Sequence, residues 1–204
     1  MTRDYVYGVG INDADYAVYR TEKENGKSKI IWQCPYYRDW CSMLSRAYST
    51  NRGVTYQNVK VCDEWKHFTN FKRWVITQPN KDWENSSLDK DFIGDGITYS
   101  PENCVYISKK LNGFITDRTN DRGLYLVGVT WHKHRKIFVA QCANPFGVSN
   151  YEKRGYIGGF VTEEEAHEAW RSKKHEYSCK LAEYEKDPRV VNVLRTRYLK
   201  GGNF

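Results

Sequence analysis

Tyr156-Ile157-Gly158-Gly159-Phe160-Val161-Thr162-Glu163-Glu164-Glu165-Ala166 is the stretch on which the architecture turns. It reads as a strand, from Gly155 to Val161, that runs straight into a helix. The change of register comes at Thr162, because a threonine followed three residues later by a glutamate forms a capping box in which each side chain satisfies the other's exposed backbone donor. The helix that follows carries Ala166, Ala169, Trp170, Tyr177, Leu181 and Tyr184 as its sheet-facing stripe. Asp187-Pro188 stops it, since proline disfavours helical geometry in the residue before it. Ahead of this stretch, Leu124 to Trp131 and Lys136 to Cys142 read as two more strands, joined by the tight basic loop His132-Lys133-His134-Arg135. Residues 122–187 are therefore expected to form a three-stranded antiparallel sheet packed on one long helix, with a basic tail over 188–204 that carries Arg189, Arg195, Arg197 and Lys200 and no acid.

Further towards the N-terminus the periodicity becomes helical. Trp40, Met43, Leu44, Ala47 and Tyr48 recur at helical spacing between Arg38 and Tyr48. A second helix is expected from about Asp63 as N-cap, with Trp65, Phe68, Phe71, Trp74 and Val75 buried and Lys66, Lys72 and Arg73 outside. Between residues 35 and 81 eight basic residues face three acids, Asp39, Asp63 and Glu64, so this helical pair reads as a phosphate-facing surface. Residues 1–33 read as an arm or hairpin, with a turn at Glu22 to Lys27 between extended pieces at 17–20 and 30–32. Leu88 to Ile93 reads as a strand, Gly94-Asp95-Gly96 as a turn into a second short strand, and Val105 to Ile107 as a strand that enters a short helix containing Asn112. Asn120, Asp121 and Gly123 mark the boundary between the two halves.

The totals narrow the class. Lysine and arginine number 32 against 25 acids, a net charge of +7, and such an excess favours polyanions because neutralised phosphates release condensed counterions. Seven Trp, 16 Tyr and 8 Phe are enough both to fill a core and to leave aromatic faces beside basic side chains. Six cysteines, Cys34, Cys41, Cys62, Cys104, Cys142 and Cys179, are thinly spread and form no C-x-x-C knuckle, so free thiols in a reducing compartment are expected rather than bridges or zinc. Met1 is followed by Thr-Arg-Asp-Tyr with no apolar stretch, and no run approaches the roughly 20 apolar residues of a membrane span. No membrane partner is expected.

Several segments together resemble an arrangement of tailed phages, an HNH-type homing endonuclease region followed by a domain like the plant ethylene-response-factor DNA-binding domain. They are Tyr7-Gly8-Val9-Gly10-Ile11-Asn12-Asp13-Ala14-Asp15-Tyr16, Cys34-Pro35-Tyr36-Tyr37-Arg38-Asp39-Trp40, Gly128-Val129, Phe138-Val139-Ala140-Gln141 and the opening stretch through Ala166. The resemblance implies an α+β chain, with an HNH-like ββα-metal hairpin region over 34–118 and the DNA-binding domain over 122–187. It also implies action on duplex DNA inside a phage-infected bacterial cell. Trp131, Lys133, Arg135, Lys136, Gln141, Lys153, Arg154 and Tyr156 are its DNA-contact candidates, Arg154 and Tyr156 matching positions of a contacting arginine and tryptophan. Val127 and Thr130 stand where the family places arginines on its first strand.

The HNH half departs further. That fold holds one divalent cation, Mg2+ or a similar metal, and no organic cofactor. It needs a histidine base directly after an aspartate to activate the attacking water. Here the segment reads Leu88-Asp89-Lys90-Asp91, so Lys90 stands at the base position, and the usual asparagine falls near Tyr99 or Ser100. Pro101-Glu102-Asn103 and Asn112 are kept. The implied catalytic set is Asp89, Lys90 and Asn103, and the implied metal ligands are Asp89, Asp91 and Asn112. An ordinary lysine is protonated at neutral pH and makes a poor base, and His67 is a distant alternative. Three functions follow: a DNA-binding protein derived from such an endonuclease with cleavage weak or lost, an active endonuclease with a variant site, or an effector that binds a host protein.

Overall fold

The computed structural model of the chain describes residues 5–51, 56–116 and 124–199. It is a mixed helix-and-strand protein that divides into two compact units, Met1–Ile107 and Ser108–Phe204. Asn120, Asp121, Gly123 and Lys200 lie outside the described residues.

In the first unit, strands β1 (Tyr19–Glu24) and β2 (Lys27–Gln33) form an antiparallel hairpin. Helix α1 (Pro35–Tyr48) starts with Pro35, whose fixed φ suits a first helical turn, and buries Trp40, Met43, Leu44 and Ala47 along one face. Strand β3 (Lys60–Val61) leads through a short 3-10 turn at Glu64–Lys66 to helix α2 (Phe68–Ile76). Around Trp40, Trp65, Phe68 and Phe71 the core is a set of inclined rings. The Trp40 indole donates to the Trp65 carbonyl at 2.7 Å, so its one polar atom is satisfied where the ring is fully buried.

Two expectations change here. The helix does not run from Asp63, whose carboxylate instead accepts from Lys66 Nζ at 2.6 Å. Asp13 does the capping from 54 or more residues away: its carboxylate accepts from the Thr69 amide at 2.8 Å, the Thr69 hydroxyl at 2.7 Å and His67 Nδ1 at 3.2 Å. The segment before β1 is therefore built in rather than a free arm. Ile11 exchanges backbone bonds with Lys66 and Phe68, and Gly10 lies so close to α1 that an added Cβ would sit 2.4 Å from Leu44 Cδ1. Only the β1–β2 hairpin stands out, with Ile30, Ile31 and Trp32 exposed.

The second difference concerns residues 86–108. Strand β4 (Ser86–Asp89) stops at Asp89, because the Asp89 side chain accepts from the Asp91 and Phe92 amides at 2.9 and 2.7 Å and turns the chain away from a ladder. Strand β5 (Thr98–Tyr99) pairs in parallel with β3, while β4 pairs with β6 (Val105–Ser108). The expected hairpin across Gly94-Asp95-Gly96 is thus replaced by a loop whose two flanking strands go to different partners.

The second unit begins with helix α3 (Lys109–Ile115), so the division falls ahead of this helix rather than near residue 120. Strands β7 (Val129–His132), β8 (Ile137–Gln141) and β9 (Tyr156–Phe160) form an antiparallel sheet in that order, with helix α4 (Asn150–Arg154) between β8 and β9. Helix α5 (Glu163–Ala182) packs on one face of the sheet, opened by the Thr162–Glu165 capping box. Gly128 permits the close approach: its φ is +78°, and a Cβ there would lie 2.0 Å from the Trp170 ring.

The buried face of α5 differs from the expected stripe. Tyr184 is exposed, whereas Arg171, Lys174 and Ser178 are buried. They are covered because the presumed basic tail contains helix α6 (Pro188–Thr196), which packs on α5 with Val190 and Leu194 inward. Ser178 donates to the Leu194 carbonyl at 2.6 Å, Arg171 to the Tyr198 carbonyl at 3.4 Å, and Lys174 to the Phe114 carbonyl, so the polar residues are satisfied. Asp187 caps α6 by accepting from the Arg189 amide at 2.9 Å. All six cysteines are free, and no described helix is long and apolar enough to cross a membrane.

Candidate nucleic-acid interface

Strand register sorts the sheet residues by face, since paired residues and alternate residues along a strand share a side. Val129 pairs with Ala140, Trp131 with Phe138, and Phe138 with Phe160. These lie on the side of α5, where Val129, Ala140 and Ala166 form the core and Phe138 and Phe160 pack against it. Trp131 is thereby placed on the helix side, 4.7 Å from the Phe138 ring centroid.

The opposite face presents Thr130 beside Val139 and Gly159, His132 beside Ile137, and Gln141 beside Tyr156. Gln141 and Tyr156 are exposed, and a bulge at Ala140/Gln141 sets their pairing. In its middle the Ile137 side chain lies over Gly159, where an added Cβ would sit 2.5 Å from Ile137 Cδ1.

Basic residues cluster at both ends of this face. Lys133, Arg135 and Lys136 occupy the β7–β8 turn, where Lys136 has φ of +51° and donates its amide to the His132 carbonyl at 2.9 Å. Lys153 and Arg154 end α4 at the other end, a favourable place for cations at a helix C-terminus. None of the five makes an ion pair among the described residues, whereas Lys66, Arg171, Lys173, Lys180 and Arg189 all do. The acid nearest in sequence, Glu152, is held in its own capping box: bonds from the Ser149 and Val148 amides and the Ser149 hydroxyl keep its carboxyl below the ordinary range. A five-residue strand spans roughly 16 Å, comparable with the roughly 12 Å major groove and its flanking phosphates.

The nuclease-like residues are arranged differently. Lys90 is 4% exposed, and its ammonium donates to the Gly96 carbonyl and to Asp91 Oδ1, both at 2.6 Å, between the Tyr56 and Tyr99 rings. Burial pushes the Asp89 carboxyl above its usual range, against the two amide bonds it accepts. Asn103 donates to the Thr98 carbonyl at 3.3 Å. Asp89, Lys90, Asp91 and Asn103 thus knit one loop together. Asn112 lies on α3 in the other unit. The Lys90 ammonium occupies the cationic position beside Asp91, so a divalent cation there would have to displace it; no group of three or more His, Cys, Asp or Glu that could hold a metal occurs among the described residues. His67 is engaged with Asp13.

An open cleft of about 330 Å³ lies along α2 between Glu64, Arg73, Trp74 and Pro101, with the Arg73 guanidinium held by Asn70 Oδ1 at 3.1 Å. Sequence periodicity places Arg73 outward but carries no signal for a cleft, whose far wall comes from residue 101. No family model, no curated protein and no solved structure matches the chain.

Proposed function

We propose that the chain binds duplex DNA through the exposed face of β7–β8–β9 and that cleavage by its nuclease-like region is lost. The observation that carries this reading is the set of five basic side chains, free of ion pairs among the described residues, at the two ends of the sheet face that presents Thr130, His132, Gln141 and Tyr156 to solvent. A sheet laid in the major groove places its ends at the phosphate backbones and its middle at the base edges. Lys133, Arg135 and Lys136 at one end, and Lys153 and Arg154 with Gln141 and Tyr156 at the other, then lie towards the phosphate backbones, and Thr130 and Gly159 lie towards the base edges. Trp131, on the helix side, orders the sheet rather than touching DNA.

Derivation from a tailed-phage HNH homing endonuclease is part of this proposal. The order β4, β6, α3 follows the strand–strand–helix sequence of that fold, and the position of its base is held by a lysine engaged in loop structure. By the same resemblance, the place of action is the cytoplasm of a phage-infected bacterium.

The test is a salt titration of duplex binding by fluorescence anisotropy, run beside a Mg2+ and Mn2+ plasmid-nicking assay. Each neutralised phosphate adds roughly 0.9 to the log–log slope. Replacing Lys133, Arg135, Lys136 and Arg154 together by alanine is expected to remove most of the affinity. Unchanged binding by that variant, with its fold intact, excludes the sheet as the DNA face. Robust Mg2+-dependent nicking abolished by Asp89→Ala establishes the active-endonuclease reading instead.

A further inference from the structure

We infer that Lys72 and Lys81, backed by Tyr16 and Tyr36, form a second, separate binding site for a nucleic-acid phosphate on the first unit. The Lys72 ammonium lies 4.4 Å from the Tyr16 ring centroid and 5.8 Å from that of Tyr36. The Lys81 ammonium lies 5.0 Å from the Tyr36 centroid and 5.4 Å from that of Trp83, and donates to the Tyr36 hydroxyl at 3.2 Å. One tyrosine ring therefore gathers two like charges. Neither lysine has a carboxylate partner among the described residues, while Lys66 on the preceding turn is paired with Asp63.

Each of these cation–π contacts contributes only about 0.5–1 kcal/mol, so both charges stay available to an anion. The polar atoms offered are the ammonium hydrogens, which only donate, and the Tyr36 hydroxyl, which accepts from Lys81 and keeps its own proton to donate. Such a set recognises an oxyanion. The Tyr16 hydroxyl bond raises the Lys72 pKa against a smaller desolvation effect, so the lysine stays charged at neutral pH.

The rings also restrict two side chains that are ordinarily among the most mobile, which lowers the ordering cost on binding. Their faces are taken by the ammoniums, so the rings act as rigid backing and not as a base-stacking platform. Trp83, whose edge meets Tyr36 at 4.7 Å, closes the cluster on the Lys81 side. Residues 35–81 hold eight bases against three acids, and a phosphodiester duplex is the polyanion assigned to them because its charge, one per roughly 1.7 Å, releases condensed counterions on binding.

This inference shares its ligand class with the function proposed above but uses a different surface, so the two are separable. Duplex binding by the full chain is titrated against salt for the parent, for Lys72→Gln with Lys81→Gln, for Lys72→Arg with Lys81→Arg, and for the fourfold sheet variant. The glutamine pair is expected to lower the log–log slope by about 1.8 if both lysines neutralise phosphates, and to weaken binding at least tenfold at low salt. The arginine pair is expected to keep the parent slope, which separates lost charge from lost fold. An unchanged slope in the glutamine pair overturns the inference whatever the sheet variant does. A lowered slope there with full binding by the sheet variant upholds the inference and removes the sheet reading. Tighter binding of a polyglutamate peptide than of a duplex of equal charge overturns it in favour of an acidic protein partner, and a parent chain that binds no DNA overturns both.

Discussion

Lys90→Met tests whether the buried lysine between Asp89 and Asp91 is there for structure or for chemistry. Methionine keeps an unbranched stem between the Tyr56 and Tyr99 rings but removes the ammonium, leaving the Gly96 carbonyl without its donor. A hydrogen bond from a charged donor contributes roughly 1.5–3 kcal/mol. The Asp91 side chain is 66% exposed, so the ion pair adds at most about 1 kcal/mol. The two ring contacts add about 0.5 kcal/mol each. The expected loss is about 3 kcal/mol, roughly a hundredfold in the folding equilibrium, and a large part of the 5–15 kcal/mol typical of a domain. Hydrogen exchange during a urea series reads this locally: amides over 86–107 should lose protection early, while those of α5 serve as the internal reference. A loss below about 1 kcal/mol would refute the reasoning, because a lysine that can be removed without structural cost is free to act on a phosphate.

Asp13→Ala is expected to destabilise the first unit by about 1–2 kcal/mol at neutral pH, the usual value of a lost helix cap. Burial works against the Asp13 carboxylate, but bonds from the Thr69 amide and hydroxyl and from His67 outweigh it and hold its pKa below the ordinary aspartate range. A depressed folded-state pKa stabilises above the unfolded value, so the gap between parent and variant should close as pH falls from about 4 towards the folded pKa; a gap that persists in acid argues against the cap. On the sheet, Tyr156→Ala should weaken duplex binding while Trp131→Phe leaves it unchanged, and anisotropy with the reverse result would place DNA on the other face.

Part of this architecture was legible in the chain. The capping box at Thr162 and Glu165, the strands on either side of His132 to Lys136, and the stripe Trp40, Met43, Leu44 and Ala47 are all local patterns, and local patterns reflect which face of one element must leave water. The sheet's basic ends were legible for the same reason, because turn residues are adjacent in sequence. The burial of Arg171, Lys174 and Ser178 was not legible, since their polarity predicts a solvated face and only the packing of α6 supplies the carbonyls that satisfy them. Nor was the side to which Trp131 turns, which depends on a one-residue register.

What the sequence by itself determined is the class of elements, the position of the basic turns and the presence of a lysine between Asp89 and Asp91. Tertiary structure alone decided that Asp13 caps a helix 54 or more residues away, that Lys90 ties a loop to Gly96, and that Tyr16, Tyr36, Lys72, Lys81 and Trp83 meet. The reason is physical: periodicity records how each segment divides itself between water and core, but it holds no record of which distant donor will meet which acceptor once the cores have closed.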